Sequence, residues 1–478
     1  MNPSHDTPTE AVQACFAAQA ERALAQRTSS ASERIGKLKR LQTALLKRQS
    51  ELHHAFASDF GKPAAEVDLT ELLPVVDEIQ AATKHLRSWM RPRRVMPGLT
   101  TLGTRARVTY QGKGRCLIIG PWNYPVATLI SPLVSAIAAG NTVIVKPSEF
   151  TPAVNAVLAQ VIAEVFDATE VTMITGAAAT AQALLDCPFD HIFFTGSSAV
   201  GKLVMNAAAR HLASVTLELG GKSPVIVDES ADLAQAAELI MWGKLVNAGQ
   251  SCIAPDTLFV HRGVRDELLR RCKVLVATRY GQNDVVIAAS PDLARMIHER
   301  HAARVAALID DALNLGAKLV LGGGRNLAER FIAPTLLTDV PPEAHIAQEE
   351  IFGPVLPVIV FDDIGEVITS VNARPKPLAL YLWSTQERTI QRVQAEVSSG
   401  SLVINHCMQQ FAHTGLPFGG VGNSGVGNSH GFYGFKAFSH ERALLRGGKV
   451  LPVKLFFPPY TPLTKRLIGT LIACVRRL

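Results

Sequence analysis

RCLIIGPWNYPVATLISPLVSAIAAGNTVIVKPSE, residues 115–149, is the stretch that decides the fold. Two short apolar runs, Cys116–Ile119 and Thr142–Val145, are predicted to be strands, and the apolar segment between them is predicted to be a buried helix that ends at Ala139. Because Gly140 and its neighbours interrupt the apolar stretch, we do not expect it to span a membrane. A strand, a helix and a second strand in this order are typical of a βαβ unit with parallel strands.

Strand-like and helical segments continue to alternate along the chain, and a second alternating block begins near Ser223. This pattern predicts an α/β fold with two parallel-sheet lobes, a Rossmann-like cofactor domain and a catalytic domain, joined near residues 219–223. The further predicted strands are Val171–Ile174, His191–Phe194, Val215–Leu219, Val225–Val227, Leu258–Val260, Lys318–Leu321, Val355–Val360, Leu378–Trp383 and Leu402–Asn405.

The segments outside this alternation have patterns of their own. Residues 11–90 have the periodicity of long amphipathic helices, and Ala106–Gln111 is predicted to be a strand. The Gly-rich stretch Phe418–Gly434 is predicted to be a long loop, and loops of that length usually have a function.

The C-terminal tail is predicted to form an amphipathic helix that covers the substrate entrance or rests on a membrane surface. Packing on the protein itself is the alternative, and the apolar run is too short to span a bilayer, which needs roughly 20 residues. The apolar stripe is Leu463, Leu467, Leu471 and Val475, widened by Ile468 and Ile472, and the charges are Lys465, Arg466, Arg476 and Arg477.

Composition excludes several classes of protein. A chain of 478 residues with 47% hydrophobic and 19% charged residues is globular and long enough for two or three domains. The net charge of +7 without basic runs beside aromatics gives no support for a nucleic-acid partner. The 7 scattered cysteines form no C-x-x-C pair, which argues against disulfides or a metal site. Because Asp6 and Glu10 precede any apolar run, no secretory signal is expected and the predicted location is cytoplasmic.

Cys252 is the first candidate for chemistry, because small residues around it in Gly-Gln-Ser-Cys allow an exposed turn. A catalytic thiol must be reached by substrate and held partly as thiolate. A buried core cysteine is the commoner case for a lone Cys, and a cysteine protease would need an adjacent His base. Taken alone, this Cys is weak support for catalysis.

Glu218 and Asn123 are the candidates for the base and the oxyanion donor. Glu218 lies near the end of an apolar strand, where partial desolvation would raise its pKa towards neutrality. Asn123 follows the first strand of the sheet and could donate to an oxyanion. A solvent-facing Glu and ordinary turn chemistry are the alternatives.

Three further motifs could hold a nucleotide cofactor. Gly196–Gly201 follows a strand and opens a helix, where N–H groups and the helix dipole favour a phosphate. Lys146 and Glu149 end another strand and could bracket ribose hydroxyls, unless they form a surface ion pair. Glu349-Glu350 precedes an aromatic residue at a turn, although acidic residues are also common at helix N-termini.

Seven motifs, taken together and in this order, resemble the aldehyde dehydrogenase superfamily over roughly residues 30–445. They are Pro-Trp-Asn-Tyr-Pro at 121–125, Lys-Pro-Ser-Glu at 146–149, Phe-Thr-Gly-Ser at 194–197, Glu-Leu-Gly-Gly-Lys at 218–222, Gly-Gln-Ser-Cys at 249–252, Glu-Glu-Ile-Phe-Gly-Pro at 349–354 and Pro-Phe-Gly-Gly at 417–420.

The resemblance implies an NAD(P)-dependent enzyme that oxidises an aldehyde to a carboxylic acid. Cys252 would attack the aldehyde, Asn123 and the Cys252 backbone N–H would hold the oxyanion, and Glu218 would activate the water that hydrolyses the thioester. The cofactor would be NAD, with NADP as the alternative, and Glu149 should favour NAD because it would repel a 2′-phosphate. The residues implied at the cofactor are Trp122, Lys146, Glu149, Gly196, Ser197, Gly201, Leu219, Glu350 and Phe352.

The finer resemblance is to the class 3 branch, which includes fatty, aromatic and coniferyl aldehyde dehydrogenases. Residues 249–256 and 417–425 carry it, and His430-Gly431 extends it. The branch implies a medium-chain, long-chain or aromatic aldehyde as the substrate and a homodimer. Ser251 and Thr257 depart from its common pattern and leave the substrate funnel open.

Two other functions compete with this interpretation. A CoA-acylating dehydrogenase would pass the acyl group to CoA, but such enzymes generally lack the residue that matches Glu218. A catalytically silent binding protein on the same fold would not need the complete set of Cys252, Glu218, Asn123 and Glu350.

The resemblance also implies limits for the parts of the chain. The predicted parts are a dinucleotide-binding domain at 1–98 and 114–219, a catalytic domain at 220–410, an oligomerisation element at 99–113 and 434–450, and a C-terminal tail at 451–478.

Overall fold

The computed structural model describes residues 6–449 and 452–476, and a six-stranded sheet carries the first half of the chain. All neighbouring strands in it are parallel except the short edge strand Gly425–Val426. The chain moves in one direction from the central strand Arg115–Ile119 and later returns on its other side, which makes a topological switch point beside that strand. From edge to edge the strands are Gly425–Val426, Ser214–Leu219, His191–Gly196, Arg115–Ile119, Thr142–Lys146 and Val171–Met173.

A seven-stranded sheet carries the second half, and the chain changes sheets between Leu219 and Pro224. Its strands are parallel except Lys318–Leu321, which pairs antiparallel with Thr335–Thr338. The two-lobe α/β prediction is therefore confirmed, while Thr335–Thr338 was not predicted because four residues between loops show no periodicity. In order the strands are Lys318–Leu321, Thr335–Thr338, Val355–Phe361, Thr257–His261, Pro224–Val227, Ala379–Trp383 and Ser401–Ile404.

A separate antiparallel sheet joins Arg93–Val95, Thr104–Gly112 and Ser439–Gly447. Ser439–Gly447 forms one edge of this sheet, and nearly all of its residues are exposed. The predicted strand at 106–111 is confirmed within Thr104–Gly112. The predicted domain limits remain a prediction, and Val450 and Leu451 lie outside the described residues.

Most of the helices cover the faces of the two large sheets and bury an apolar stripe against them. The predicted N-terminal helical region is confirmed, and it includes a π-helical turn at Asp68–Leu72. A short antiparallel strand pair, Arg325–Asn326 with Phe331–Ile332, lies in the second half of the chain. The helices are Thr9–Gln26, Ala31–Lys47, Gln49–Phe60, Ala64–Val67, Leu73–Trp89, Ala127–Ala139, Pro152–Val165, Ala178–Leu185, Ser198–Ala209, Leu233–Leu245, Arg265–Arg279, Asp284–Ala288, Glu299–Asn314, His345–Gln348, Ile364–Asn372, Glu387–Glu396, Gln409–Ala412, Gly431–Ala437 and Pro462–Val475.

The prediction of an uninterrupted loop over Phe418–Gly434 is wrong. Gly425–Val426 adds an edge strand to the six-stranded sheet, and a helix begins at Gly431. Gly425 and Gly427 have φ angles of 149° and 84°, which let the backbone turn sharply enough to pair. Side-chain patterns could not reveal this pairing because the segment has so few side chains.

The tail helix Pro462–Val475 confirms the predicted helix, but it buries little of its surface. Thr464 is its buried residue, while Leu463 and Ile472 are 66% and 63% exposed. No helix among the described residues is long and apolar enough to cross a membrane. The predicted charge of Arg477 lies outside the described residues.

Candidate active site

The predicted catalytic residues gather at the switch point, where loops follow the carboxyl ends of the central strands. Asn123 lies in the loop after Arg115–Ile119, and Ser197 follows the neighbouring strand His191–Gly196. The next strand of the sheet, Ser214–Leu219, pairs with His191–Gly196 and ends with Glu218 and Leu219. In open α/β sheets a ligand crevice forms at this position.

Cys252 lies just beyond a tight, strained turn, Val246–Gly249. Asn247 and Ala248 have φ angles of 54° and 50°, a conformation that side-chain-bearing residues rarely adopt. The Gln250 side chain ties this turn to a neighbouring segment, because its Nε2 donates to Arg295 O at 3.0 Å and its Oε1 accepts from Ile297 N at 3.0 Å. Cys252 remains partly exposed while both of its sequence neighbours are buried.

The Cys252 thiol is surrounded by protein atoms and by two carboxyl groups. Burial raises the pKa of the thiol, and the nearby Glu218 and Glu350 raise it further because a thiolate would be repelled by carboxylates. Both effects favour the neutral thiol over the thiolate. The two carboxyl groups therefore lie near enough to the thiol to affect its charge.

Glu218 is buried at the end of its strand, as the sequence suggested. Burial raises its pKa to about 7, and a hydrogen bond donated by the Ser429 hydroxyl to its Oε1 opposes that rise. A carboxyl group with a pKa near 7 is suited to general-base catalysis at neutral pH. The alternative of a solvent-facing Glu is excluded, because the residue is only 7% exposed.

Asn123 is fixed to the turn that carries Cys252. Its Nδ2 donates to Gln250 O at 3.0 Å, and its own backbone oxygen accepts from Asn247 Nδ2 at 2.9 Å. An amide group has two N–H donors, so one remains for a substrate oxygen. Asn123 is buried and held from both sides, which preorganises that donor.

Lys146 and Glu149, which were predicted to bracket ribose hydroxyls, form an ion pair. Lys146 Nζ lies 3.4 Å from Glu149 Oε2 at the end of the strand Thr142–Lys146. Ser197 caps the helix Ser198–Ala209, whose N-terminal N–H groups suit a phosphate. A Cβ on Gly201 would lie 2.7 Å from Leu219 Cδ2, so glycine lets this helix pack closely on the strand.

Buried polar atoms without hydrogen-bond partners occur at two of the residues around the predicted nicotinamide site. Glu350 Oε1 and Thr195 Oγ1 have no hydrogen-bond partner among the described residues, and burial raises the pKa of Glu350 to about 8. Glu350 lies against Gly220, where a Cβ would be within 2.2 Å of Oε2. Such orphaned polar atoms fit a ligand that brings hydroxyl groups, and a ribose does so.

Aromatic rings border the same end of the crevice. Trp122 packs edge-on against Phe352 and His301, with ring centroids 5.4 Å apart in each pair. Phe352 has a φ of 51°, a strained conformation that aims its ring at this cluster. Gly196 ends the strand His191–Gly196. A side chain at this position would clash with the Phe194 ring, so glycine keeps the space open.

Several residues that support the site were not found from the sequence. Lys62 and Glu71 form a fully buried ion pair at 2.9 Å, and Glu71 Oε2 accepts from the N–H groups of Val126 and Ala127. Glu66 accepts from Asn247 N at 2.9 Å. These residues lie on N-terminal helices or, for Lys62, in the loop between two of them, and the amphipathic pattern gave no sign of buried charges, so no local signal marked them.

Three comparisons relate the chain to known proteins. The sequence pattern of the aldehyde dehydrogenase family matches residues 2–444. The chain is 42% identical over 435 residues to 4,4'-diaponeurosporen-aldehyde dehydrogenase of Staphylococcus aureus, covering 91% of this chain and 94% of the relative. It is 41% identical over 428 residues to aldehyde dehydrogenase family 3 member A2 of Rattus norvegicus, covering 89% and 87%. The solved substrate-bound state of Staphylococcus aureus AldH matches with a TM-score of 0.91 and 40% identity, covering 96% of this chain and 99% of that one.

Proposed function

Because the chain belongs to the aldehyde dehydrogenase family, in its class 3-like branch, and is an NAD(P)-dependent enzyme, we propose that it works through a covalent thioester on Cys252. In this proposal Glu218 is the base for thioester hydrolysis, and the substrate is a medium-chain, long-chain or aromatic aldehyde. The observation that carries the proposal is the placement of a thiol, a buried carboxyl group and a fixed amide around one crevice.

The first half of the reaction is the addition of Cys252 Sγ to the aldehyde carbon. The thiol proton passes to solvent at the partly exposed side of Cys252. As the S–C bond forms, the carbonyl oxygen becomes an oxyanion, which the free N–H of Asn123 and the Cys252 backbone N–H stabilise. Removing one such donor typically costs about 3–4 kcal/mol of barrier. When bound, the nicotinamide cofactor supplies the hydride acceptor for the oxidation to a thioester.

The second half is hydrolysis of the thioester. Glu218 takes a proton from water while the water oxygen bonds to the acyl carbon, and the C–S bond breaks to return Cys252. A base with a pKa of about 7 is half ionised at neutral pH and can release the proton again before the next turnover. Glu350 and Thr195 would hold the nicotinamide ribose, and Lys146 with Glu149 the adenosine ribose.

The surroundings of the thiol support an apolar substrate. Cys252, Met408 and Phe411 are partly buried and pack against the same apolar cluster of the second lobe. The Staphylococcus aureus relative is named for its action on 4,4'-diaponeurosporen-aldehyde. Contact with apolar side chains favours alkyl or aromatic tails because it removes them from water.

The proposal is tested with the Glu218→Gln variant. We expect a burst of reduced cofactor near one per active site followed by turnover slowed about 100-fold or more, since the base acts only in hydrolysis. Stopped-flow absorbance with an aromatic aldehyde measures both phases. Glu387→Gln changes an exposed helix residue and serves as the matched control, while Cys252→Ala should remove the burst.

Linear turnover at the wild-type rate in Glu218→Gln would overturn the assignment of the base. Adding CoA to the wild-type enzyme separates the rival activity in the same assay. A CoA-dependent acceleration with acyl-CoA as the product would replace hydrolysis by acyl transfer to CoA.

The separate antiparallel sheet supports the further proposal of a homodimer. Its edge strand Ser439–Gly447 presents Leu444 and Leu445, which are 50% and 64% exposed. An unpaired strand edge tends to pair with another chain, so a second copy is the occupant that we propose.

The tail helix supports the proposal of a peripheral membrane contact or a cover for the substrate entrance. Exposed apolar residues on it and before it, including Phe457 and Leu463, lie close in sequence to the basic Lys465 and Arg466. An apolar face beside basic residues suits an anionic lipid surface. A long-chain aldehyde that partitions into lipid would be brought near the enzyme by such a contact.

A further inference from the structure

Glu218 is the first member of a chain of three hydrogen-bonded side chains. The Ser429 hydroxyl donates to Glu218 Oε1, and Ser429 Oγ lies 2.8 Å from His430 Nδ1. All three residues are buried, with exposures of 7%, 6% and 7%. The pair Ser429-His430 comes from the glycine-rich segment whose edge strand pairs Gly425 with Glu218, so the segment approaches the base along its backbone as well.

Counting hydrogens fixes the direction of these bonds. An ionised carboxylate only accepts, so the single hydroxyl hydrogen of Ser429 points to Glu218. His430 must then donate from Nδ1 to Ser429 Oγ. Burial lowers the pKa of His430 to about 4, so its ring is neutral at pH 7 and carries its one hydrogen on Nδ1.

The backbone around the pair is held in an unusual shape. His430 has a φ of 72°, which a side-chain-bearing residue rarely adopts. Gly431 N donates to the buried Glu78 Oε1 at 2.8 Å, and Ser429 N donates to Phe418 O at 2.7 Å. The His430 ring is enclosed by Phe418 and Phe411 at centroid distances of 5.1 and 4.7 Å. Strain that persists under such restraint is typical of a functional site.

We propose that Ser429, oriented by His430, is a positioning residue that anchors Oε1 of Glu218 and leaves Oε2 as the oxygen that takes the proton from the hydrolytic water. This inference rests on the proposed role of Glu218 as the base. As water adds to the thioester, Oε2 gains its proton while the bond from Ser429 to Oε1 holds the carboxyl plane in place. No electron transfer occurs, and the proton leaves by the same oxygen after the acid is released.

The same hydrogen bond keeps the base ionised. Burial raises the pKa of Glu218, and the Ser429 hydroxyl lowers it by bonding to the charged form. The titratable groups around this part of the site are the Cys252 thiol, Glu350 near that thiol, His430 behind Ser429 and Glu78 behind Gly431. Among these groups, His430 is the one that is linked to Glu218 by hydrogen bonds through the Ser429 hydroxyl.

The pH profile of hydrolysis tests the inference. In Ser429→Ala we expect the acid limb of kcat, measured where hydrolysis limits turnover, to move up by about 1–2 pH units, because a hydrogen bond to a charged group is lost. At pH 7 kcat should fall about 5–50-fold, and at pH 9 it should recover to about half of the wild-type value or more. The burst rate and the Kd for NAD should stay within about twofold of the wild-type values. Ser429→Thr retains the hydroxyl and should restore the wild-type profile.

A matched pair at residue 430 separates orientation from folding. Both Asn and Gly tolerate a positive φ, but only Asn keeps an N–H donor near the position of Nδ1. His430→Asn should therefore keep the acid limb close to that of the wild type, and His430→Gly should shift it upward in the direction of Ser429→Ala.

Two outcomes would overturn the inference. The first is an unchanged acid limb in Ser429→Ala, and the second is a loss of kcat that is equal at pH 7 and pH 9. If Glu218→Gln stalls hydrolysis while Ser429→Ala does not shift the profile, the positioning role fails and the base remains. If Glu218→Gln turns over normally, the proposed function itself fails.

Discussion

Two regions of the molecule depart from the usual pattern, in which charged side chains are exposed and large apolar side chains are buried. Behind the active site, the N-terminal helical region buries charges: Lys62 and Glu71 are paired with no exposed side-chain surface, and Glu78 is 1% exposed. At the C-terminus, the tail exposes large apolar residues, with Leu463 and Phe457 66% and 54% exposed.

The difference between the two regions is whether the unusual residues find partners inside the chain. Lys62 is paired with Glu71, and the buried carboxyl groups accept from backbone N–H groups near the active site, Glu71 from Val126 and Ala127 and Glu78 from Gly431. The exposed apolar residues of the tail have few contacts of their own. Buried charge therefore contributes to the internal order of the enzyme, and exposed apolar surface is available to something outside it.

Breaking the buried pair should have the largest effect on stability. In Lys62→Met, Glu71 is left without its cation in a dry site, and we expect a loss of about 3–5 kcal/mol in the free energy of unfolding. Denaturant titration followed by fluorescence measures it. The matched control is Arg262→Met, because Arg262 and Asp362 form an ion pair whose side chains are 63% and 59% exposed. That control should cost less than about 1 kcal/mol.

Adding Glu71→Gln to Lys62→Met sharpens the same comparison. A neutral pair avoids the uncompensated charge, so the double variant should recover much of the lost stability. Equal stability losses in Lys62→Met and Arg262→Met would show that burial does not distinguish the two ion pairs.

The pH dependence of stability tests Glu78, with a smaller effect. Burial raises the pKa of Glu78 from 4.5 to about 7, so the folded state favours the protonated form. The stability from this group is fully present below pH 4.5 and is lost as the pH rises through about 7. We expect Glu78→Gln to gain roughly 2–3 kcal/mol relative to the wild type between pH 5 and pH 8. Unfolding titrations at both pH values measure the change, and a pH-independent difference would contradict it.

Removing the tail should affect stability least. Deletion of residues after Pro462 exposes little new surface, so the free energy of unfolding should change by less than about 1 kcal/mol. The truncated protein should no longer bind liposomes that contain anionic lipid. A changed preference between short and long aldehydes would instead support the proposal that the tail covers the substrate entrance. If neither changes, the tail packs on the protein and both proposals fail.

Light scattering of the full-length and truncated proteins should give dimers, because the strands of the separate sheet remain in both. A monomeric full-length chain would contradict the proposed dimer.

Sequence patterns predicted the features that depend on local periodicity. The alternation around Arg115–Ile119 predicted the parallel sheet, and the tail stripe predicted the helix Pro462–Val475. Motifs also indicated Cys252, Glu218 and Asn123, which the fold brings to one crevice. Their catalytic roles and those of the cofactor residues remain proposals.

The supporting contacts could not be predicted because they join residues far apart in the chain. Ser429 reaches Glu218 across 211 residues, and Glu66 reaches Asn247 across 181. Neither a serine in a glycine-rich segment nor a glutamate on an amphipathic helix has a local pattern that names its partner. The raised pKa of the Cys252 thiol likewise depends on carboxyl groups that only the fold brings near.

The edge strand Gly425–Val426 lies near the end of the sequence, so it is synthesised long after the strand Ser214–Leu219 with which it pairs. During synthesis at about 5–20 residues per second, Ser429 leaves the ribosome about 10–40 s after Glu218, which precedes it by 211 residues. Until then the edge of Ser214–Leu219 is unpaired, and the Glu218 side chain has no hydroxyl donor on that side. The nascent chain therefore contains the turn that carries Cys252 well before Glu218 can accept from the Ser429 hydroxyl, and its last tenth supplies that contact.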